Sequence, residues 1–372
     1  MSESHPASSD SSNRDADLHR TLIEDLRRGG YGRDLRGDFR DLYRFYMDEE
    51  HRERLAAMSR WKRGIFLTLW LLKALIQRLS PARRLMSLVA FLLFSAGNWT
   101  MGIMGFGFYP DMQILGFALL VIVLMLELKD KLLARDELEV GRAVQLALMP
   151  EGPPEVPGWE IWLFTRPAND VGGDLVDSLP LGDGRVALML GDVSGKGLGA
   201  ALVMAKLQAT LRALAAERES LPELGRAVNR ILCRDGIPGR FATLLYFEIE
   251  ADSGTLRMVN AGHIPPTVFR ESDTESPPPV SLPLGFRPEA EYREQVLEVP
   301  PGGLVLGYSD GLTEAMDPRG LFFGDVGLPR MLEGLEEKGA REAGHMLVSA
   351  VERFAGEERP SDDLSLILLK RQ

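Results

Sequence analysis

Between Leu85 and Leu126 the chain carries one charged side chain, Asp111, in 42 residues. No other feature restricts the fold so strongly, because helices packed in a water-soluble domain keep a polar stripe over such a length. The first part, Leu85 to Tyr109, is 25 uncharged residues. At about 1.5 Å per residue it can cross a hydrocarbon core of about 30 Å. Tyr109-Pro110-Asp111 reads as a turn, and a second run of 15 residues follows from Met112 to Leu126. The second run spans a bilayer when Glu127 and Lys129 sit at the interface. The expected element is a membrane hairpin over 85–128. Arg78, Arg83 and Arg84 precede it, Lys129, Lys131 and Arg135 follow it, and its loop has no Lys or Arg, so both ends are expected in the cytoplasm. This places the chain in the cell inner membrane as a multi-pass protein. The shorter run Ile65 to Ile76 carries Lys73 between flanking charges and reads as an interfacial or buried helix; as a third span it would put the N-terminal region outside.

The flanks have different textures. Residues 1–17 are rich in Ser, Asp and Asn and read as a disordered tail, with no signal peptide. Residues 18–84 mix dense charge with Leu22, Leu26, Leu35, Phe39, Leu42 and Tyr46, as expected of short amphipathic helices. After the hairpin, residues 129–149 hold no proline and many helix formers, so the second span is expected to continue as a helical linker. An imperfect apolar stripe along helix 127–149 permits pairing of two chains into a homodimer. Met149-Pro150 and the Pro/Gly cluster up to Gly158 mark the boundary of a domain over 150–372.

Charge and cysteine content restrict what that domain does. Residues 127–372 hold 26 basic and 40 acidic side chains, which disfavours nucleic acid as a partner. The single cysteine, Cys233, excludes an intramolecular disulfide and a cysteine zinc site, and it sits in a helical stretch where a structural role is expected. Only His263 and His345 remain as histidines after residue 51, so any bound metal must be held by oxygen.

Short β-rich runs appear at Trp159–Thr165, Arg185–Asp192, Phe241–Ile249, Thr255–Asn260, Gln295–Val299, Leu304–Tyr308 and Leu364–Lys370. Helical stretches are expected at Gly197–Glu217, Leu221–Arg234, around Pro329–Leu335 and at Ala340–Phe354, giving an α+β layered domain. Aspartates recur at strand ends beside Gly or in turns: Gly172-Gly173-Asp174, Gly191-Asp192-Val193, Ser309-Asp310-Gly311 and Ser361-Asp362-Asp363. Any one of these is an ordinary turn. Together they can converge on hard cations, since Mg²⁺ and Mn²⁺ prefer oxygen ligands.

Six motifs in order carry a resemblance: Ala168-Asn169-Asp170-Val171-Gly172-Gly173-Asp174, Gly191-Asp192-Val193-Ser194-Gly195-Lys196-Gly197, Asn260-Ala261-Gly262-His263, Pro283-Leu284-Gly285, Tyr308-Ser309-Asp310-Gly311-Leu312-Thr313-Glu314 and Asp362-Asp363-Leu364-Ser365. Residues 140–370 resemble the SpoIIE/RsbU-like branch of the PPM metal-dependent serine/threonine phosphatases. The resemblance implies a β-sandwich flanked by helices, with two Mn²⁺ or Mg²⁺ ions at one end. It implies that Asp192 bridges the metals, that Val193 offers its carbonyl, that Asp310 and Asp362 complete one site, and that Asp174 serves the other. Asp363 is the ambiguous neighbour of Asp362. Asp192, Asp174 and Asp310 are thereby the catalytic candidates. The implied substrate is a phosphorylated regulatory protein, such as an anti-sigma-factor antagonist in partner switching.

Other functions fit less well. Gly191 to Gly197 departs from a Walker A loop, with three residues instead of four before Gly-Lys and glycine after the lysine. Lys196 can steer a phosphate, although a lysine at a helix start is usually just solvated. His263 is expected to order a tight turn before Pro265-Pro266. The main rival is a membrane-anchored sensor or scaffold whose phosphatase-like domain binds without turnover. A receptor for an external ligand is weaker, because the outer loop near Gly105 to Met112 is too short for a pocket.

Overall fold

The computed structural model describes residues 59–96, 112–150, 152–237, 239–251, 253–270, 273–356 and 360–372. The tail 1–17, the amphipathic stretch up to residue 58 and the hairpin turn at Tyr109-Pro110-Asp111 lie outside them. The chain divides into two compact units, Met1–Asp130 and Lys131–Gln372.

The first unit contains helix α1 (Arg60–Arg78), helix α2 (Pro81–Ala96) and the start of helix α3 (Met112–Leu148). Pro81 opens α2, where its missing N–H is no loss. Arg84 then donates to the carbonyls of Ile76, Gln77 and Leu79 around the end of α1, where Ile76 also accepts from Leu79 N. The run Ile65 to Ile76 lies wholly within α1. α2 and α3 meet through small residues: a Cβ on Gly116 would lie 2.7 Å from the Ala90 carbonyl oxygen and 2.9 Å from Phe94 N. Leu88, Phe91, Leu92, Phe117, Leu124 and Met125 are all exposed. α3 is long and apolar enough to cross a membrane and continues as one helix to Leu148, as expected for the linker. At the charged end, Arg83 donates to Glu127 at 2.9 Å and to Asp130 at 2.6 Å.

The second unit is a sandwich of two antiparallel five-stranded sheets. The first has the order β1 (Trp159–Arg166), β10 (Leu364–Arg371), β9 (Leu304–Tyr308), β6 (Thr267–Arg270) and β7 (Asp273–Glu275). The second has the order β2 (Leu175–Gly182), β3 (Arg185–Val193), β4 (Ala242–Glu250), β5 (Thr255–Ala261) and β8 (Gln295–Glu298). Helices α4 (Leu198–Leu214) and α5 (Leu221–Asp235) cover the second sheet, and α6 (Ala340–Ala355) covers the first. Each sheet is therefore buried on both faces, which explains unbroken apolar runs such as Val186 to Leu190 and Leu366 to Leu369. In β3, Leu188 and Leu190 enter the core between the sheets with Phe247 and Ile367, while Met189 points outward among Leu207 and Leu211.

All seven expected strands are present. Three more, β2, β6 and β7, escape the sequence pattern. β2 hides its period because Asp177 sits on its helix-facing side, fully buried and held by both Nε and Nη2 of Arg212 at 2.7 Å. Its Pro180 is tolerated because β2 is an edge strand.

Candidate functional site

The aspartates singled out in the sequence come together where loops leave the two sheets. Asp192 lies in the last turn of β3, paired across the sheet with Thr243 of β4. Beyond Val193 the chain must reverse into α4, and Gly195 and Gly197 do so with φ of 89° and 74°, values that side chains with a Cβ rarely adopt. Asp310 follows β9 and opens a short helical turn, Asp310–Thr313. Asp362 and Asp363 immediately precede β10, and Asp174 immediately precedes β2. Asp310, Asp362 and Asp363 thus belong to the first sheet, and Asp174 and Asp192 to the second.

Glycine makes the convergence sterically allowed. A Cβ on Gly173 would stand 3.1 Å from the Val193 carbonyl oxygen and 3.7 Å from Asp192 Oδ1, so the loop before Asp174 lies directly against the end of β3. A Cβ on Gly311 would collide with the main-chain carbonyl of Asp363.

The two neighbouring acids before β10 play separate parts. Asp363 is buried, with Oδ1 accepting from Ala168 N at 2.8 Å and Oδ2 from Gly173 N at 2.7 Å, so it fastens the loop that carries Asp174. Asp362 is half-buried and pairs with Lys196 Nζ at 2.8 Å. Lys196 also donates to the Ser361 carbonyl at 2.6 Å, so it is anchored to the acidic loop and not simply solvated.

Electrostatics register the crowding. Burial, then the charges of Asp310, Asp362 and Asp363, push the Asp192 carboxyl up to about 7. Burial first and Asp362 second raise Asp310. Asp174 is pushed well above the carboxylate range, chiefly by burial, and its Oδ2 has no hydrogen-bond partner. Among the described residues no three Asp, Glu, His or Cys side chains close tightly enough to form a ready metal cage. The donors are nonetheless all oxygen, one of them buried and unpartnered, and they suit a hard cation that retains several waters.

Three contributors were not singled out in the sequence. Arg240 packs against Gly195 and Gly199 and donates to the Ser194 carbonyl at 2.7 Å, bracing the turn after Asp192. Gln145, near the end of α3, exchanges two hydrogen bonds with the main chain of Gly172, at 3.0 and 3.1 Å. Its only signal was an uncharged polar residue among the apolar residues of a linker. Thr243 bonds to His263, whose own role differs from the expected one. The Asn260 side chain, accepting from His263 N at 2.8 Å, orders the turn, and the imidazole is used elsewhere.

A helix-flanked sandwich of two antiparallel sheets with acids gathered at its strand ends is the fold of PPM, or PP2C-type, domains. The solved SiaA-PP2C domain of Pseudomonas aeruginosa shares the fold, with a TM-score of 0.56 and 17% identity over 66% of this chain and 98% of that one. Within that class the chain belongs to the SpoIIE family: the model of stage II sporulation protein E matches residues 182–372, just over half its length. Asp192, Asp310, Asp362 and Asp363 fall inside the match, and Asp174 falls outside it. Protein IcfG of Synechocystis sp. is 30% identical over 226 residues, covering 53% of this chain and 36% of IcfG. The phosphoserine phosphatase RsbU of Bacillus subtilis is 24% identical over 249 residues, covering 64% of this chain and 71% of RsbU. The chain therefore spans well under half of one curated relative and most of the other.

Proposed function

We propose that the protein is a membrane-anchored, metal-dependent phosphatase that removes phosphate from serine or threonine of a regulatory protein in partner-switching signalling. The observation that carries this reading is the gathering of Asp192, Asp310 and Asp362 from two sheets, with Asp192 raised to about 7 by burial and its neighbours. Such mutual repulsion is unfavourable for folding alone and is relieved by a cation. Asp174, Asp192, the Val193 carbonyl, Asp310 and Asp362 would hold two Mn²⁺ or Mg²⁺ ions, and Asp363 would act as the loop fastener beside them. Bound there, the metals would supply an activated water and neutralise charge on the phosphoryl oxygens. The chain's own part is to fix the carboxylates from two sheets and to keep Lys196 beside Asp362. The name of RsbU supports phosphoserine as substrate. The exposed apolar faces of α2 and α3 support the anchor.

The test is phosphate release from a phosphoserine peptide by the full chain in detergent, with Mn²⁺, Mg²⁺ or chelator, alongside Asp192→Asn. Turnover that needs metal and vanishes in the variant supports the reading. A folded protein inactive with both metals would leave the binding-only sensor or scaffold.

The linker is a route for regulation from the membrane unit. Its last turns touch the catalytic domain at Gly172 through Gln145, and its terminal carbonyl, Leu148, accepts from Gln208 at 2.6 Å and from Arg212 at 3.3 Å. A flexible Gly-Ser insert replacing Gly141 and Arg142 is expected to uncouple activity from the membrane part; regulation unchanged by the insert sinks that idea.

A further inference from the structure

The carboxylates of the site are divided between two sheets, so their spacing depends on whatever fixes one sheet against the other at this end. Asp363 does this for the loop of Asp174, through the amides of Ala168 and Gly173. For the Asp192 strand the link is His263. Its ring is buried, 3% exposed, with Nε2 lying 3.2 Å from the Tyr308 carbonyl oxygen and Nδ1 lying 2.8 Å from Thr243 Oγ1. A carbonyl only accepts, so Nε2 carries the proton; burial disfavours the charged ring, so Nδ1 is unprotonated and accepts from the Thr243 hydroxyl. The tautomer is fixed by its partners, and the ring is neutral.

The two ends of this bridge are informative. Thr243 stands directly across from Asp192 in the β3–β4 register, with its hydroxyl 3.4 Å from the Asp192 carbonyl oxygen. Tyr308 ends β9, two residues before Asp310, and the intervening Ser309 donates its hydroxyl to the Asp363 carbonyl at 3.0 Å. One imidazole thus ties β4, the strand paired with that of Asp192, to the segment of the first sheet leading to Asp310.

We infer that His263 is a positioning residue for the metal site: its two ring hydrogen bonds set the distance between the Asp192 half and the Asp310 half. It touches neither substrate nor metal. The inference rests on the metal reading of the carboxylates given above. Buried groups that orient metal ligands in this way influence affinity as well as stability.

The experiment measures Mn²⁺ binding to the full chain in detergent by calorimetry, with kcat and KM for a phosphoserine peptide and the melting temperature in chelator. His263→Phe keeps an aromatic ring and loses both bonds; His263→Gln can place its amide nitrogen near Nε2 and keep the Tyr308 bond. The expected result is Mn²⁺ affinity about 10- to 100-fold weaker in His263→Phe, with a fall in kcat at little-changed KM, and partial rescue in His263→Gln. Parent-like Mn²⁺ affinity and kcat in His263→Phe, with only a lower melting temperature, overturn the inference. If His263→Phe does not fold, Thr243→Val breaks the other end of the bridge at nearly constant volume; weaker Mn²⁺ binding upholds the inference and parent-like binding overturns it. Asp192→Asn runs in parallel. A parent that binds no Mn²⁺ overturns the metal reading itself, whereas a parent that binds, an Asp192→Asn that does not, and a parent-like His263→Phe remove only the role given to His263.

Discussion

Two apolar helices, α3 and α4, make an instructive pair. Both are long and apolar enough to cross a membrane, α4 when taken with the 3-10 turn that extends it to Glu217. Yet 44% of the apolar window that starts at Leu198 is buried within the protein, against 11% of the window in α3. α4 places Met204, Leu207 and Leu211 against the second sheet. Over its apolar stretch α3 turns Phe117, Leu124 and Met125 outward and buries little besides Gly116 and Val123. Hydropathy says only that a helix avoids water; the destination of its large side chains says whether protein or lipid replaces the water. Small-residue contact between α2 and α3 is what the proposed anchor would use, because lipid removes the hydrophobic drive between helices and leaves close packing in its place.

This contrast makes separable predictions. The largest effect is expected in the catalytic unit: Asp192→Asn should lower phosphatase turnover at least about 100-fold while leaving membrane retention unchanged, read by phosphate release and by membrane fractionation. The converse is Phe117→Arg. On an exposed face in water it would be nearly neutral, but at mid-bilayer an arginine costs about 3 kcal/mol, so retention of the chain in carbonate-washed membranes should fall. Parent-like retention would break the comparison between α3 and α4.

His263 supplies a prediction of similar size. Burial lowers its pKa from 6.5 to about 4 in the folded protein. Between those values the unfolded chain takes up a proton that the folded chain refuses, so the His263 contribution to stability is full above pH 6.5 and is lost as pH falls toward 4. The difference amounts to about 3 kcal/mol. Urea denaturation of the parent and His263→Gln across this range isolates it: the parent should lose more stability on acidification than the variant, and parallel profiles would contradict the assignment. The smallest effect is expected at the linker. Gln145→Leu leaves the buried main-chain groups of Gly172 without their partner, at about 2 kcal/mol in the same assay. No change would mean that the last turns of α3 do not brace the catalytic loop.

Much of the catalytic unit was legible beforehand. The seven expected strands are there, because strands buried on both faces announce themselves as apolar runs. β2 did not, since the charge of Asp177 is neutralised by Arg212 from a helix distant in sequence. The acids of the site were legible as Asp beside Gly, but the reason for the glycines was not. Gly173 and Gly311 let one acid-bearing loop pass against another. Asp362 and Asp363 could not be told apart in the sequence, because both are aspartates before the same strand; the amides of Ala168 and Gly173 distinguish them. His263 is expected from the sequence to order a turn before Pro265-Pro266, and the partners of its ring lie 20 residues back, at Thr243, and 45 residues on, at Tyr308.

The sequence alone determined what local pattern and composition can encode: a long apolar stretch, a proline-free linker ending at Pro150, a layered α+β domain and a set of aspartates at strand ends. Those depend on neighbours in the chain and on the hydrophobic effect, which reads side chains one at a time. The tertiary structure decided which acid fastens a loop and which faces the site, which apolar helix is core, and how one buried imidazole spans two sheets. These are contacts between residues far apart in the chain, and hydrogen bonds and charge repulsion act only once folding has brought their partners within a few ångströms.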